Sequence, residues 1–274
     1  MTIHDLFSAD ITIERDIPYR IDGDPRQKLD LYAPRDASGL PVAIYFYGGG
    51  WRSGDKRLFE HLGRALAVRG IITVAVNYRL TPAVRHPAHA EDCAAAVAWT
   101  EREIKTRGGD PERIFLIGHS AGAHLAALIT VDDHFLRAAG FPMESIRGTV
   151  MISGASDLRV HAETTVFTRR EYIEEAFGDA PESLADASPA THLHPGLPPF
   201  LIIVAENDPP GLRKQGKDFA DALRDAGGEA LYISVKGRDH FSIIRRFGPS
   251  DDATAGAIVD FIRHYQSGRT SGPA

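Results

Sequence analysis

The chain has 274 residues, 43% of them apolar and 25% charged, a composition that supports a sizeable buried core. With 31 Lys and Arg against 37 Asp and Glu the formal net charge is −6, so no basic surplus steers the molecule toward nucleic acid or anionic lipid. The single cysteine, Cys93, excludes an internal disulfide framework, a Cys-only zinc site and a CxxC redox pair.

The opening residues, Met1 to Asp10, lack the basic and apolar regions of a signal peptide, and no run reaches the ~18 apolar residues of a membrane span. A cytoplasmic protein is therefore expected. Ile11 to Ile13 and Lys28 to Tyr32 are expected as antiparallel edge strands. Apolar runs at Val42 to Tyr47, Ile71 to Asn77, Arg113 to Ile117, Thr149 to Ile152, Phe200 to Ala205 and Ala230 to Val235 read as buried strands. Between them, helical stripes recur at Leu58, Leu62 and Leu66 and at Cys93, Val97 and Ile104. Further helices are predicted for Ala121 to Val131, Leu212 to Ala226 and Asp252 to Tyr265. This alternation implies an α/β fold with a doubly wound, mostly parallel sheet and helices on both faces. Residues 157–197 break the rhythm and are expected to form a small lid-like insertion.

Gly118-His119-Ser120-Ala121-Gly122 follows one predicted strand directly and opens an apolar helix. A G-x-S-x-G pattern in that context is a nucleophile elbow, a strained turn that lifts the Ser120 hydroxyl above the sheet edge. Serine needs a base and an orienting carboxylate. His240 follows the strand ending at Val235, where sites assemble in such sheets, and is the candidate base. Glu206, Asp208 and Asp239 are all candidates for the acid. Among the other histidines, His119 lines or supports the site, His124 packs in the core, and His192 and His194 carry no motif.

Gly48, Gly49 and Gly50 follow the strand ending at Tyr47. Three successive glycines are tolerated where backbone N–H groups must approach a ligand closely. The N–H groups of Gly49, Gly50 and Ala121 are candidate donors to the oxyanion formed when Ser120 attacks a carbonyl. Trp51, Tyr47, His119 and Phe241 are the candidate pocket residues. Motifs scattered from Gly48 to His240 must meet in one pocket, so residues 1–274 are expected to form a single domain. No metal or cofactor is required, the expected partner is a small molecule with a carbonyl that Ser120 can attack, not nucleic acid or a membrane, and the oligomeric state stays open, a homodimer included.

Together these segments resemble the α/β-hydrolase superfamily, in the branch holding carboxylesterases, feruloyl/acetyl-esterase-like domains and kynurenine formamidases. The resemblance runs from about Asp30 to His264 and rests on GGGWRSGDK (48–56), VNYRLTP (76–82), HPAHAEDCAAAVAW (86–99), GHSAGAHLAAL (118–128), END (206–208) and DHFSII (239–244). It implies an α/β-hydrolase fold, Ser120, Asp208 and His240 as the triad, and Gly49, Gly50 and Ala121 as oxyanion donors. It also implies a serine carboxylesterase, with an arylformamidase as the alternative and a silent hydrolase-fold binding protein as a third. The chain departs from the family's His-Gly-Gly-Gly in starting with Tyr47, which removes whatever brace that histidine provides. The family's large N-terminal helical cap is not expected here.

Overall fold

The structure, a computed structural model, describes residues 10–21, 23–160, 170–249 and 251–267. Its eight strands are β1 (Ile11–Pro18), β2 (Lys28–Pro34), β3 (Leu40–Phe46), β4 (Ile72–Val76), β5 (Gly109–His119), β6 (Ile146–Ile152), β7 (Phe200–Asn207) and β8 (Ala230–Asp239). They form one sheet in the order β1-β2-β4-β3-β5-β6-β7-β8. β2 runs antiparallel to β1 and β4, and every other pair is parallel. Val42 to Phe46 of β3 are wholly buried, as a strand covered on both faces must be.

The helices are α1 (Glu60–Ala67), α2 (Ala88–Glu103), α3 (Ala121–Val131), α4 (His134–Ala138), α5 (Arg170–Phe177), α6 (Pro181–Asp186), α7 (Pro210–Asp225), α8 (Ser242–Arg245) and α9 (Ala253–Tyr265). Every residue of α3 is buried. It is buried all round because β5 and β6 lie on one side and α2 on another. By contrast α7 is two-faced. Leu212, Phe219, Ala220 and Leu223 are buried, while Lys214–Asp218 and Lys217–Asp221 pairs lie outside. The α9 helix starts at Asp252, whose side chain caps the N–H of Ala255, and sets Phe261 against Phe115 with ring centroids 6.2 Å apart.

Some expectations are corrected. Leu58 lies in a 3₁₀ turn (Lys56–Phe59) begun by Asp55, whose tighter winding rotates it out to 67% exposure; Leu62 and Leu66 alone keep the inward stripe. β8 is an edge strand bonded only to β7, so Leu231 is 50% exposed where a buried strand was expected. Within the 157–197 insertion, residues 161–169 lie outside the described residues. The described remainder is docked on the body: His86 N–H donates to the Ala176 carbonyl at 2.8 Å, and Ile173, Phe177 and Leu184 are buried.

The register aligns the C-terminal strand ends, with Phe46 beside Gly118, His119 beside Ile152 and Ile152 beside Ile203. From neighbouring β3 and β5 the chain proceeds to opposite sides, to β4 and to β6. Such a switch point leaves a crevice above the strand ends, where ligands bind in open α/β sheets.

Candidate active site

Ser120 is the one residue between β5 and α3, with φ 53° and ψ −119°. This conformation is costly for a non-glycine residue, and such strain persists only where the surroundings over-determine it. Here the Ser120 N–H donates to the Ile152 carbonyl at 2.9 Å and its carbonyl accepts from the His124 N–H at 3.1 Å. The turn also demands a bare Cα at Gly122, where a Cβ would lie 2.1 Å from the Phe46 carbonyl oxygen. That contact presses the start of α3 against the end of β3.

The Ser120 Oγ lies 3.0 Å from His240 Nε2, and His240 Nδ1 lies 2.9 Å from Asp208 Oδ1. An ionised carboxylate only accepts, so Nδ1 carries the proton and Nε2 is left to accept from the serine hydroxyl. Asp208 Oδ2 accepts from the Ser153 hydroxyl at 2.5 Å and from the Ala205 N–H at 2.6 Å. The carboxylate is 2% exposed and His240 6%, a burial that strengthens each of these bonds. Geometry separates the acids that the residues alone left open. Glu206 turns outward to accept from the Gly237 N–H at 2.8 Å. Asp239 accepts from the N–H groups of Phe241 and Ser242, which hold its carboxyl below the usual range.

The loop after β3 turns on Gly49, whose carbonyl accepts from the N–H groups of Arg52 and Ser53. Gly49 has φ 146°, and a Cβ there would meet the Ser53 carbonyl oxygen at 2.0 Å. Among the described residues the N–H groups of Gly49, Gly50 and Ala121 have no hydrogen-bond partner. The glycine stretch comes up against the nucleophile at Gly48, where a Cβ would lie 2.8 Å from the Ser120 Cβ, and unpaired donors can receive a developing negative charge.

The four expected pocket residues divide. Phe241 is 40% exposed, edge-on to His240 with centroids 5.5 Å apart, and Arg245 lies over its ring. His119 instead sits behind the base, where its Nε2 donates to the His240 carbonyl at 2.9 Å. Burial, reinforced by the neighbouring His240, pulls His119 down to about 3, so it is neutral near pH 7. Trp51 is 1% exposed, its indole N–H donating to His124 Nδ1 at 3.3 Å and its ring edge-on to Phe177. His124 Nε2 donates in turn to the Ala187 carbonyl at 2.7 Å, so the loop after β3, α3 and the insertion are tied together. Tyr47 is fully buried, stacked between Phe59 and Tyr78. Trp51 and Tyr47 thus face the core rather than open space, because a flat ring with polar neighbours is better satisfied inside the loop than outside it.

Sequence reasoning missed Ser153 and Arg26. Ser153 follows β6 with no motif around it; its φ of 51° is not readable from composition. Arg26 lies in the β1–β2 connection, far in sequence from the loop it touches. The VNYRLTP and HPAHAEDC segments do meet: Arg79 forks onto Asp92 with Nε 2.8 Å from Oδ2 and Nη2 2.8 Å from Oδ1. Among the described residues no group of three or more His, Cys, Asp or Glu is arranged to hold a metal ion.

Fold and site together define a hydrolase architecture. The family model of the alpha/beta hydrolase fold matches residues 43–243, and the chain belongs to that family. It is similar to esterase LipQ of Mycobacterium tuberculosis, 32% identical over a 260-residue alignment that covers 90% of this chain and 61% of that protein. The chain therefore spans about three-fifths of that relative's length. It is 30% identical to a kynurenine formamidase of Danio rerio over 84% of this chain and 75% of that one. An esterase of Pyrobaculum calidifontis superposes with a TM-score of 0.77 at 28% identity, over 97% of this chain and 88% of its own.

Proposed function

We propose that this chain is a serine carboxylesterase hydrolysing small to medium acyl esters through an acyl-enzyme, with residues 1–274 acting as one catalytic domain. The observation that carries the reading is the Asp208–His240–Ser120 line, at 2.9 and 3.0 Å, together with the unpaired N–H groups of Gly49, Gly50 and Ala121 among the described residues. His240 Nε2 takes the hydroxyl proton as Ser120 Oγ attacks the ester carbonyl, and Asp208 fixes the Nδ1–H and offsets the imidazolium charge. The oxyanion accepts from the backbone donors, each worth ~3 kcal/mol of barrier. Collapse expels the alcohol, which takes the proton from His240; water deprotonated by the same nitrogen then releases the acid and restores the serine.

Phe241, exposed and edge-on to His240, is the described aromatic ring placed to meet an acyl or alcohol group beside the base. The preference for modest acyl groups is supported by the short helices of the insertion, Arg170–Phe177 and Pro181–Asp186, which offer little apolar surface for a long chain. A cytoplasmic location and a small-molecule partner, rather than nucleic acid or membrane, belong to the same proposal. Cys93, the only thiol, is buried, and no described helix is long and apolar enough to cross a membrane.

The formamidase relative favours one second reading, cleavage of a formyl amide by the same relay. A panel of aryl esters of increasing acyl length, a long-chain triglyceride and N-formylkynurenine, compared in kcat/KM, decides between them. The esterase reading expects the highest value on a short or medium ester. A higher value on N-formylkynurenine would replace it, an optimum on triglyceride would overturn the size preference, and no turnover of any would point to a binding protein.

A further inference from the structure

The loop that carries Gly49 and Gly50 begins at Tyr47 where its relatives by motif begin with histidine, and one guanidinium takes hold of both its ends. Arg26 Nη2 donates to the Tyr47 hydroxyl at 2.6 Å and to the Gly54 carbonyl at 2.9 Å, and Arg26 Nε donates to the Tyr78 carbonyl at 3.1 Å. Tyr78 closes the circuit, its hydroxyl donating to the Tyr47 carbonyl at 2.9 Å. The Tyr47 ring stacks on Tyr78 at 4.8 Å, and a Cβ at Gly54 would fall 2.5 Å from the ring's Cε2, so the returning end of the loop packs directly against the Tyr47 side chain.

We propose that Arg26 and Tyr47 are positioning residues that clamp the oxyanion loop from beneath, replacing the brace that a histidine at position 47 would supply. The inference rests on the esterase reading for its catalytic consequence but not for its structural one. Trp51 anchors the middle of the loop, through its indole N–H on His124 and its carbonyl, which accepts from the N–H and hydroxyl of Thr81 at 2.9 Å each, but the glycine stretch before it has no side chain to fix it. Between its ends run Gly48, Gly49, Gly50, Trp51, Arg52 and Ser53, and three glycines impose little conformation of their own. A planar fork with several donors can satisfy two carbonyls and a phenol at fixed angles, which a point charge or a flexible amine cannot. Burial pushes the Tyr47 phenol up to about 12, so it remains protonated and offers an acceptor oxygen to Arg26 near neutral pH. The clamp touches no reacting atom. Its effect passes through the placement of the Gly49 and Gly50 N–H groups, where a displacement of about 1 Å can cost about 100-fold.

Arg26→Met and Tyr47→Phe in the full chain test this with two readouts. Each variant is expected to lower kcat on a short acyl aryl ester by about 10- to 100-fold with KM within about twofold. Affinity for a trifluoromethyl ketone, which forms a serine hemiketal in the same hole, should fall by the same factor, while the fraction of Ser120 titratable by a fluorophosphonate stays that of the parent. The double variant should be no worse than the poorer single one, since both cut one device. Independently of turnover, amide hydrogen exchange across residues 48–54 should speed up in both. Unchanged exchange in that loop, or kcat within about twofold of the parent, would overturn the clamp. If Arg26→Met does not fold, Tyr47→Phe, which removes one oxygen, decides alone. A parent protein without ester turnover would defeat the esterase reading and leave the exchange arm to judge the clamp.

Discussion

Removing the Ser153 hydroxyl tests whether Asp208 works as an oriented carboxylate. Ser153 is 1% exposed and sits at φ 51°, and its hydroxyl is one of two donors on Asp208 Oδ2, at 2.5 Å. A hydrogen bond to a charged group is worth about 1.5–3 kcal/mol, and the Ala205 N–H at 2.6 Å remains to hold the same oxygen. About half to two-thirds of that sum should appear in the barrier, a loss of about 10-fold in kcat for Ser153→Ala. The backbone offers an internal control. Glycine relieves the positive-φ strain, about 1 kcal/mol or more, yet also lacks the hydroxyl. Ser153→Gly should therefore melt above Ser153→Ala while losing as much kcat, read from steady-state kinetics and thermal unfolding on the same samples. Recovery of parent activity in Ser153→Gly would show that backbone conformation, not the hydroxyl, matters. Full activity in Ser153→Ala would refute the role altogether.

Asp208→Asn should cost about 10⁴-fold in kcat by presenting His240 with the wrong tautomer, while Glu206→Gln, altering an outward carboxylate bonded to the Gly237 N–H, should stay within about twofold; the reverse order in steady-state assays would reject the assignment. Gly122→Ala forces a methyl against the Phe46 carbonyl and should abolish both folding yield and activity, checked by circular dichroism and labelling of Ser120. Acid should destabilise the protein. Burial depresses His119 and His124 to about 3 and His89 to about 4 from 6.5. The unfolded chain therefore takes up protons that the folded one refuses as pH falls through 6.5. Stability present above that value is lost below it, by about 2 kcal/mol per histidine at pH 5. Among the described residues neither ring nitrogen of His89 has a partner, so His89→Leu should be tolerated at pH 8 and should shrink the drop in melting temperature between pH 8 and pH 5.

Much of this site is legible in the chain because its parts are local. An apolar run, Gly-x-Ser-x-Gly and an apolar helix dictate a strand, a strained turn and a buried helix, and three glycines after Tyr47 announce backbone donors. What the chain does not display is long-range. Choosing Asp208 over Glu206 depends on where β7 bends relative to β8, a matter of one register shift near Asn207. The grip of Arg26 on Tyr47 and Gly54 joins residues 21 and 28 positions apart, and Ser153 acts on a carboxylate 55 positions away. The inward turn of Trp51 follows from a φ of 58° and a histidine on α3, neither of which leaves a periodic trace. Edge exposure of β8 is equally invisible, since Ala230 to Val235 is as apolar as a central strand.

The proposed chemistry stands or falls with Ser120 as a nucleophile activated by His240. Incubating the intact chain with a fluorophosphonate and locating the adduct by peptide mass spectrometry tests it directly. One adduct per chain is expected, on Ser120, formed by the parent and by Glu206→Gln, and formed far more slowly by a His240→Gln variant that retains the fold. No adduct on the folded parent, an adduct on another residue, or labelling at the parent rate without His240 would contradict it.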